Sequence, residues 1–332
     1  MAAARPETPI EIGVAAAVVA VEGNGPRILV SRGDDDVPGL PSGRFDPVGH
    51  RTIEIGLRAF VTEQTQLSLG YVEQLYTFGD RGRSATASDE APHVVSIGYL
   101  ALTRLAGSTA RLPPGVRLRG WYEFFPWEDW RGGRPAILDR AILPNLARWV
   151  ADTEGERAEG DRRVLSRAER LRLCFGVSAD AGEPEVWDEE KVLERYELLY
   201  EAGLVAEAAR DGRPAADAWS PAPTLGEPMM FDHRRILATA MGRLRAKLKY
   251  RPVVFELLPP VFTLTALQKT VEAISGRHLH TQNFRRLVEG TALVEPTGEF
   301  ATTGGRPAAL FRFRREVVQE RPSPGLRLGG RA

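Results

Sequence analysis

Gln282, Asn283, Arg285 and Arg286 stand almost consecutively near the C-terminal end. Their amides and guanidinium forks are the groups that read base edges and grip phosphates. Phe284, Leu287 and Val288 are interleaved with them at i, i+3 and i+4. A helix starting at Thr281 that buries those three therefore leaves the polar four largely outside. Upstream, Thr263 is a candidate N-cap, Leu264, Leu267, Val271 and Ile274 form the buried stripe of another helix, and Gly276 ends it. Two strands follow, over residues 292–296 and 308–314, joined by TGEFATTGGR with Gly304, Gly305 and Arg306 toward the tip. Helix, short turn, helix and hairpin spell a winged helix-turn-helix, with Gly305 and Arg306 of the wing brought to the DNA backbone or minor groove.

The charge balance supports a polyanionic partner. The chain has 332 residues and zero formal net charge. From Phe231 onward it holds 18 Lys+Arg against 8 Asp+Glu, and the preceding part is acidic to the same extent. An acidic part followed by a basic part points the basic part at nucleic acid. One cysteine, Cys174, excludes an internal disulfide framework and a multi-cysteine zinc site. The N-terminal stretch lacks the apolar run of a signal peptide, and no stretch has the length of a membrane helix, so a cytoplasmic protein is expected.

A second constellation lies between Leu40 and Arg83. Ile53, Leu57, Phe60, Val61 and Leu67 recur at helical spacing. The segment over residues 60–67 resembles the end of a Nudix box, G-x5-E-x7-R-E-U-x-E-E-x-G-U, where U is a bulky aliphatic residue. In an intact box the carboxylates share a helical face and hold the magnesium that polarises a pyrophosphate. Glu63 is retained here. Ala59 stands at the Arg position, Phe60 at the first Glu of the pair, Gln64 at the second metal carboxylate and Gln66 at the Gly. The expectation is a pocket that binds without cutting: no catalytic residue, no metal ligand and no required cofactor.

The elements around this helix fit the same resemblance. Residues 12–21 and 27–32 read as a strand hairpin turned at EGNGP, with Arg32 at its end. Residues 71–78 alternate as a strand with Val72, Gln74, Tyr76 and Phe78 on one face. The motif TFGDRGR that closes it resembles the corresponding segment of Nudix proteins that handle ADP-ribose-like ligands. Aromatic faces stack on adenine and arginine holds phosphate bidentately. Residues 93–102 are the next strand, and Trp121–Pro126 reads as a late strand before a helix. Three helix-like pieces follow, over 137–150, 166–175 (with a Ser166/Glu169 capping box) and 188–206. A long helix from Phe231, capped by Asp232, carries the stripe Ile236, Leu237, Ala240, Leu244 and Leu248. Arg243, Arg245, Lys247 and Lys249 read as its largely solvated charged face.

The two halves together resemble the NrtR family of Nudix-related transcriptional regulators of NAD metabolism, most closely the alphaproteobacterial NadQ type. The resemblance is carried by Gly43 to Pro47, His50 to Arg58, Leu69 to Arg83, Phe255 to Pro259, Asn283 to Arg286 and Gly304 to Pro307. It implies an α+β chain with a Nudix-like α/β/α sandwich (residues 10–130 plus 228–250); the resemblance does not extend to residues 131–227, whose helix-like pieces read as a helical insertion. A winged helix-turn-helix (251–316) and a disordered tail (317–332) would follow. It further implies a homodimeric repressor of NAD-biosynthesis genes on a double-stranded operator, with no membrane association. The effector would be a nucleotide such as ADP-ribose, NAD or ATP, held by Arg32, Arg51, Glu54, Glu63, Tyr76, Phe78, Asp80 and Arg83. The alternative is an active Nudix pyrophosphatase on NAD-related nucleoside diphosphates.

Overall fold

A computed structural model describes residues 10–23, 25–33, 36–80, 93–105, 112–152, 165–177, 187–219, 221–302, 307–320 and 325–326. Arg83, Gly305 and Arg306 of the expected sites lie outside the described residues, as does most of the expected tail.

The frame is a mixed sheet of seven strands: β1 (Ile10–Glu22), β2 (Gly25–Arg32), β3 (Pro38–Gly39), β4 (Ser42–Arg44), β5 (Val72–Phe78), β6 (His93–Leu102) and β7 (Val116–Gly120). Its main order is β3-β2-β1-β6-β5, with β4 on β1 and β7 on β2. β1 and β6 run parallel, Ile10 opposite His93 through Val19 opposite Leu102. β1 is buried on both faces, and its period of two divides the core. Val14, Ala16 and Val18 pack with Leu57 and Val61 of helix α1 (Ile53–Thr65). Ala15, Ala17 and Val19 pack in the larger core, which the long helix over His233–Tyr250 shares. Small side chains on β1 let both helical layers approach, which makes the α/β/α sandwich.

Trp121–Phe124 (α2) is a helical turn and not the expected strand, the strand having ended at Gly120. Trp121, Phe124, Phe125 and Trp127 are wholly buried in the larger core. Four bulky residues buried almost in succession suit a compact turn, since an extended segment would send alternate side chains to opposite faces. The described part of the region between 131 and 227 is largely helical. It contains a π-turn (Leu138–Ile142) continuing into α3 (Leu143–Ala151), then α4 (Arg167–Phe175), α5 (Val192–Glu201) and α6 (Ala206–Arg210). The Ser166/Glu169 capping box forms as read. The expected 188–206 helix is two, because the chain turns at Gly203 with φ of 75°.

The long helix α7 (His233–Tyr250) buries all five residues of its predicted stripe. Two readings of it are corrected. Asp232 is the N-cap residue but makes no side-chain cap hydrogen bond. The charged face is not solvated: Arg245 and Lys247 are buried, and Arg243, Lys247 and Lys249 pair with Glu73, Glu73 and Glu190.

The C-terminal unit has the winged topology. β8 (Val261–Thr263), α8 (Leu264–Ser275), α9 (Thr281–Thr291), β9 (Val294–Ala301) and β10 (Ala308–Phe313) give two helices and a three-stranded sheet in the order β8-β10-β9. Thr263 caps α8 by accepting from the Ala266 amide at 3.1 Å, and Gly276 ends it at φ of 72°.

Candidate functional site

The outward face of α9 is the first site. Phe284 and Val288 are buried, and Gln282, Asn283, Arg285 and Arg286 are exposed, as their spacing predicts. Asn283 Oδ1 accepts from an Arg286 terminal nitrogen at 2.8 Å, which holds that guanidinium across one turn of the helix. Arg285 makes no ion pair among the described residues.

The α8 helix ahead of it is fastened to the sandwich at its C-terminal end. The last carbonyls of a helix have no partner within it. Here the body supplies donors. Tyr122 Oη donates to Ala273 O at 2.8 Å, Arg245 Nε to Ile274 O at 3.0 Å and the Trp130 amide to Gly276 O at 2.7 Å. A Cβ on Gly276 would lie 2.5 Å from Glu128 O, so both its φ and the close approach demand glycine.

Arg245 belongs to a buried ionic cluster. Glu128 takes two hydrogen bonds from Arg195 of α5, at 2.6 and 2.9 Å, and one from Arg245 of α7 at 2.7 Å. All three side chains are 0–1% exposed. Burial pushes the Glu128 carboxyl up, but the two guanidinium groups outweigh it and hold it below the ordinary carboxylate range. One carboxylate thereby joins the sandwich, the helical segment and the foot of the winged helix. Arg277, in the turn leading to α9, adds a bond to Trp187 O at 2.7 Å and an ion pair to Glu189 at 3.1 Å. Sequence reading missed this junction because its charges look like ordinary surface residues. The cue was the run WYEFFPWEDW, where Glu128 is enclosed by aromatics.

The expected ligand residues separate into groups. Tyr76, Phe78 and Asp80 come together at the end of β5. The Tyr76 and Phe78 rings meet edge-on at 6.4 Å, the Arg235 guanidinium lies 5.0 Å from the Phe78 centroid, and Asp80 pairs with Arg235. Tyr76 is half exposed and Phe78 is buried. The four-residue alternation expected for this strand is broken by a register shift between Gln74 and Thr77. Val72 consequently packs on the α1 side while Phe78 turns to the α7 side. Arg32 is elsewhere: it ends β2, which β1 and β6 separate from β5, and pairs with Asp36 at 2.7 Å. Arg51, Glu54 and Glu63 are exposed at or on α1, on the opposite face of the sheet from Phe78.

The α1 side chains do not fit a magnesium site. Glu54 pairs with Arg58 at 2.9 Å. Glu63 is nine residues further, about two and a half turns, so the two carboxylates leave opposite sides of the helix. Gln64 donates its side-chain amide to Ser42 O at 2.9 Å, a bond an ionised carboxylate cannot donate. Gln66, at the position of the box glycine, adopts φ of 58°. Among the described residues no three His, Cys, Asp or Glu side chains converge as a metal site.

A Nudix-type sandwich fastened to a winged helix-turn-helix is the class of protein that this fold defines. Residues 254–313 match the model of the NrtR DNA-binding winged helix domain. The chain is 41% identical over 85 residues to the ADPR responsive transcriptional repressor NtrR of Acinetobacter baylyi, a match spanning 26% of this chain and 34% of that one. It thus covers about a third of that relative's length. The crystal structure of Shewanella oneidensis NrtR complexed with a 27mer DNA superposes with a TM-score of 0.52 at 18% identity, covering 93% of this chain and 95% of that one. A second crystal structure of Shewanella oneidensis NrtR gives 0.52 at 19% identity, over 92% and 95%. These likenesses establish the fold. No helix among the described residues is long and apolar enough to cross a membrane.

Proposed function

We propose that the chain is a transcriptional repressor of NAD-biosynthesis genes, released from or tightened on its operator by a nucleotide of the ADP-ribose, NAD or ATP type. The observation that carries this is the α9 face: four exposed base- and phosphate-reading side chains on a helix whose partner helix is held by the sandwich. The A. baylyi relative, described as ADPR responsive, makes ADP-ribose the first effector to test. The wing residues Gly305 and Arg306 complete the DNA contacts in this reading, and Arg83 joins Phe78 and Asp80 at the effector. The domains are residues 10–130 plus 228–250 for sensing, 131–227 as an inserted helical segment and 251–316 for DNA. The protein works in the cytoplasm, and a homodimer places two α9 helices on a palindromic operator.

The pyrophosphatase reading has less to support it. Its two remaining carboxylates diverge, and Gln64 is engaged with backbone. The test is a gel shift on fragments upstream of NAD-synthesis genes, titrated with ADP-ribose, NAD and ATP. A shift modulated by one nucleotide is expected. Absence of any shift overturns the reading, and magnesium-dependent cleavage of ADP-ribose would establish the alternative.

A further inference from the structure

Arg277 sits in the turn between α8 and α9, where a basic side chain could reach a DNA phosphate. Its guanidinium is engaged elsewhere. One terminal nitrogen donates to Trp187 O at 2.7 Å and lies 3.1 Å from Glu189 Oε2, both in the helical segment. We propose that Arg277 is a positioning residue for operator recognition, and that Trp187 and Glu189 are the brace that holds it. The proposal rests on the DNA-binding reading above and names what sets the reader's aim.

The brace is itself fixed. The other carboxylate oxygen of Glu189 lies 3.2 Å from Lys249 Nζ of α7, and the Glu189 carbonyl accepts from Arg245 at 2.9 Å. The next residue presses on α7 so closely that a Cβ on Gly242 would lie 2.6 Å from Glu190 O. The Trp187 ring packs on Trp130 at 4.7 Å, and the Arg195 guanidinium of α5 lies 3.9 Å from its centroid. Arg277 therefore reaches from the reader to a stretch anchored on α5 and α7. A carboxylate beside a DNA-reading turn repels the phosphate backbone. Any favourable part for Glu189 in DNA binding must then run through the residue it holds.

The far end of the turn is tied to α8. The Leu279 amide donates to Glu272 Oε1 at 2.8 Å, and the Leu279 carbonyl accepts from Gln268 Nε2 at 2.8 Å. Gln268 and Glu272 stand at i and i+4 on α8 and are bonded to each other at 3.0 Å. The turn is only residues 277–280, and α9 begins two residues past Leu279. With Arg277 held by the helical segment and Leu279 held by α8, α9 cannot turn about its axis without breaking one tie. Hydrogen bonds to base edges depend steeply on distance and angle, so a loosened helix loses sequence discrimination before it loses general attraction to DNA.

The experiment is a gel shift across a range of salt with the full-length chain, Arg277→Ala, Glu189→Ala and the double variant. The probes are the fragment upstream of an NAD-synthesis gene that the wild-type chain shifts, and a scrambled duplex of equal length and composition. Melting temperatures confirm that the variants are folded. Each single variant is expected to lower the ratio of fragment to scrambled affinity by about tenfold, the scale of one charged hydrogen bond. The double variant should lower it no further, because both changes remove the same contact. The salt slope should stay at the wild-type value, no phosphate contact having been lost. A slope shallower by about one for Arg277→Ala, with tighter binding by Glu189→Ala, would make Arg277 a phosphate contact and overturn the proposal. A wild-type ratio in either single variant would overturn it as well, with the repressor reading left standing. Failure of the wild-type chain to shift any such fragment would instead remove that reading, and this proposal with it.

Discussion

Arg245 Nε donates to the carbonyl of Ile274 across the seam between sandwich and winged helix, 3.0 Å away and shielded from water. A cation at the C-terminus of a helix is favourable because the helix dipole and the unpaired carbonyls both present negative charge there. The other nitrogens of the same guanidinium hold Glu128. The geometry thus makes the angle of α8, and of α9 behind it, depend on a charge balance inside the sandwich.

Removing one member of a buried ion cluster leaves an uncompensated charge, at a cost of about 3–5 kcal/mol. Glu128→Gln removes the anion between two buried arginines and is expected to cost that much in urea unfolding. The wild-type dependence on pH has a definite sign. The folded carboxyl titrates below its unfolded counterpart, so its contribution is complete above the unfolded value and fades as pH falls through the folded one. Glu128→Gln should flatten that acid limb. An unchanged urea midpoint in the variant would show that the cluster carries no net stability.

Arg285 and Arg286 are predicted to meet the operator. Arg285→Ala plus Arg286→Ala should weaken binding and reduce the slope of log affinity against log salt by about 1–2, one for each lost phosphate contact. If either arginine reads guanine, binding to a variant base at that position will suffer less than binding to the native one. A gel shift and salt slope identical to wild type would exclude α9 as the contact surface.

How much of this was legible from the sequence depends on how local each signal is. The winged helix was, because Thr263, Gly276 and the Phe284/Leu287/Val288 spacing are read within single elements. The α1 layer was legible for the same reason, through Leu57 and Val61. The break in β5 was not, since a register shift between Gln74 and Thr77 is set by pairing with β6 and leaves no mark on an alternating string. Nor was the burial of Arg195, Arg234 and Arg245. Arginines that find Glu128, Glu207 and backbone carbonyls more than twenty-five residues away look, in one dimension, like a solvated face. The candidate ligand residues divided along the same line. Neighbours in sequence, Phe78 and Asp80, stay together at Arg235, and Arg32 and Glu54 do not join them.

His233 gives a pH prediction independent of the ionic cluster. Its ring is buried, and its Nδ1 accepts from the Leu40 amide at 3.0 Å, which requires an unprotonated nitrogen there. Burial, with the nearby Arg210 charge, pushes its pKa down to about 4 from 6.5. Above pH 6.5 the group is neutral folded or unfolded and costs nothing. Below that the unfolded chain takes up a proton that the folded chain refuses, so stability falls toward pH 4, by about 3 kcal/mol in all. His233→Gln should lessen the fall over that window, measured as unfolding free energy against pH. Parallel curves for variant and wild type would mean that His233 is protonated when folded.

Gln66 ends α1 in the left-handed region, at φ of 58° and ψ of 19°, its amide bonded to Thr62 O at 2.8 Å. That conformation costs a side-chain-bearing residue about 1–2 kcal/mol, whereas glycine adopts it freely but loses more entropy on folding, about 0.5–1 kcal/mol. Gln66→Gly is therefore expected to stabilise the sandwich by about 0.5–1 kcal/mol, read as a raised urea midpoint. The same substitution restores the glycine of the box without restoring a carboxylate at Gln64. It should confer no hydrolysis of ADP-ribose in magnesium. Hydrolysis gained on restoring the turn alone would mean that backbone geometry, and not the missing acidic groups, had silenced the helix.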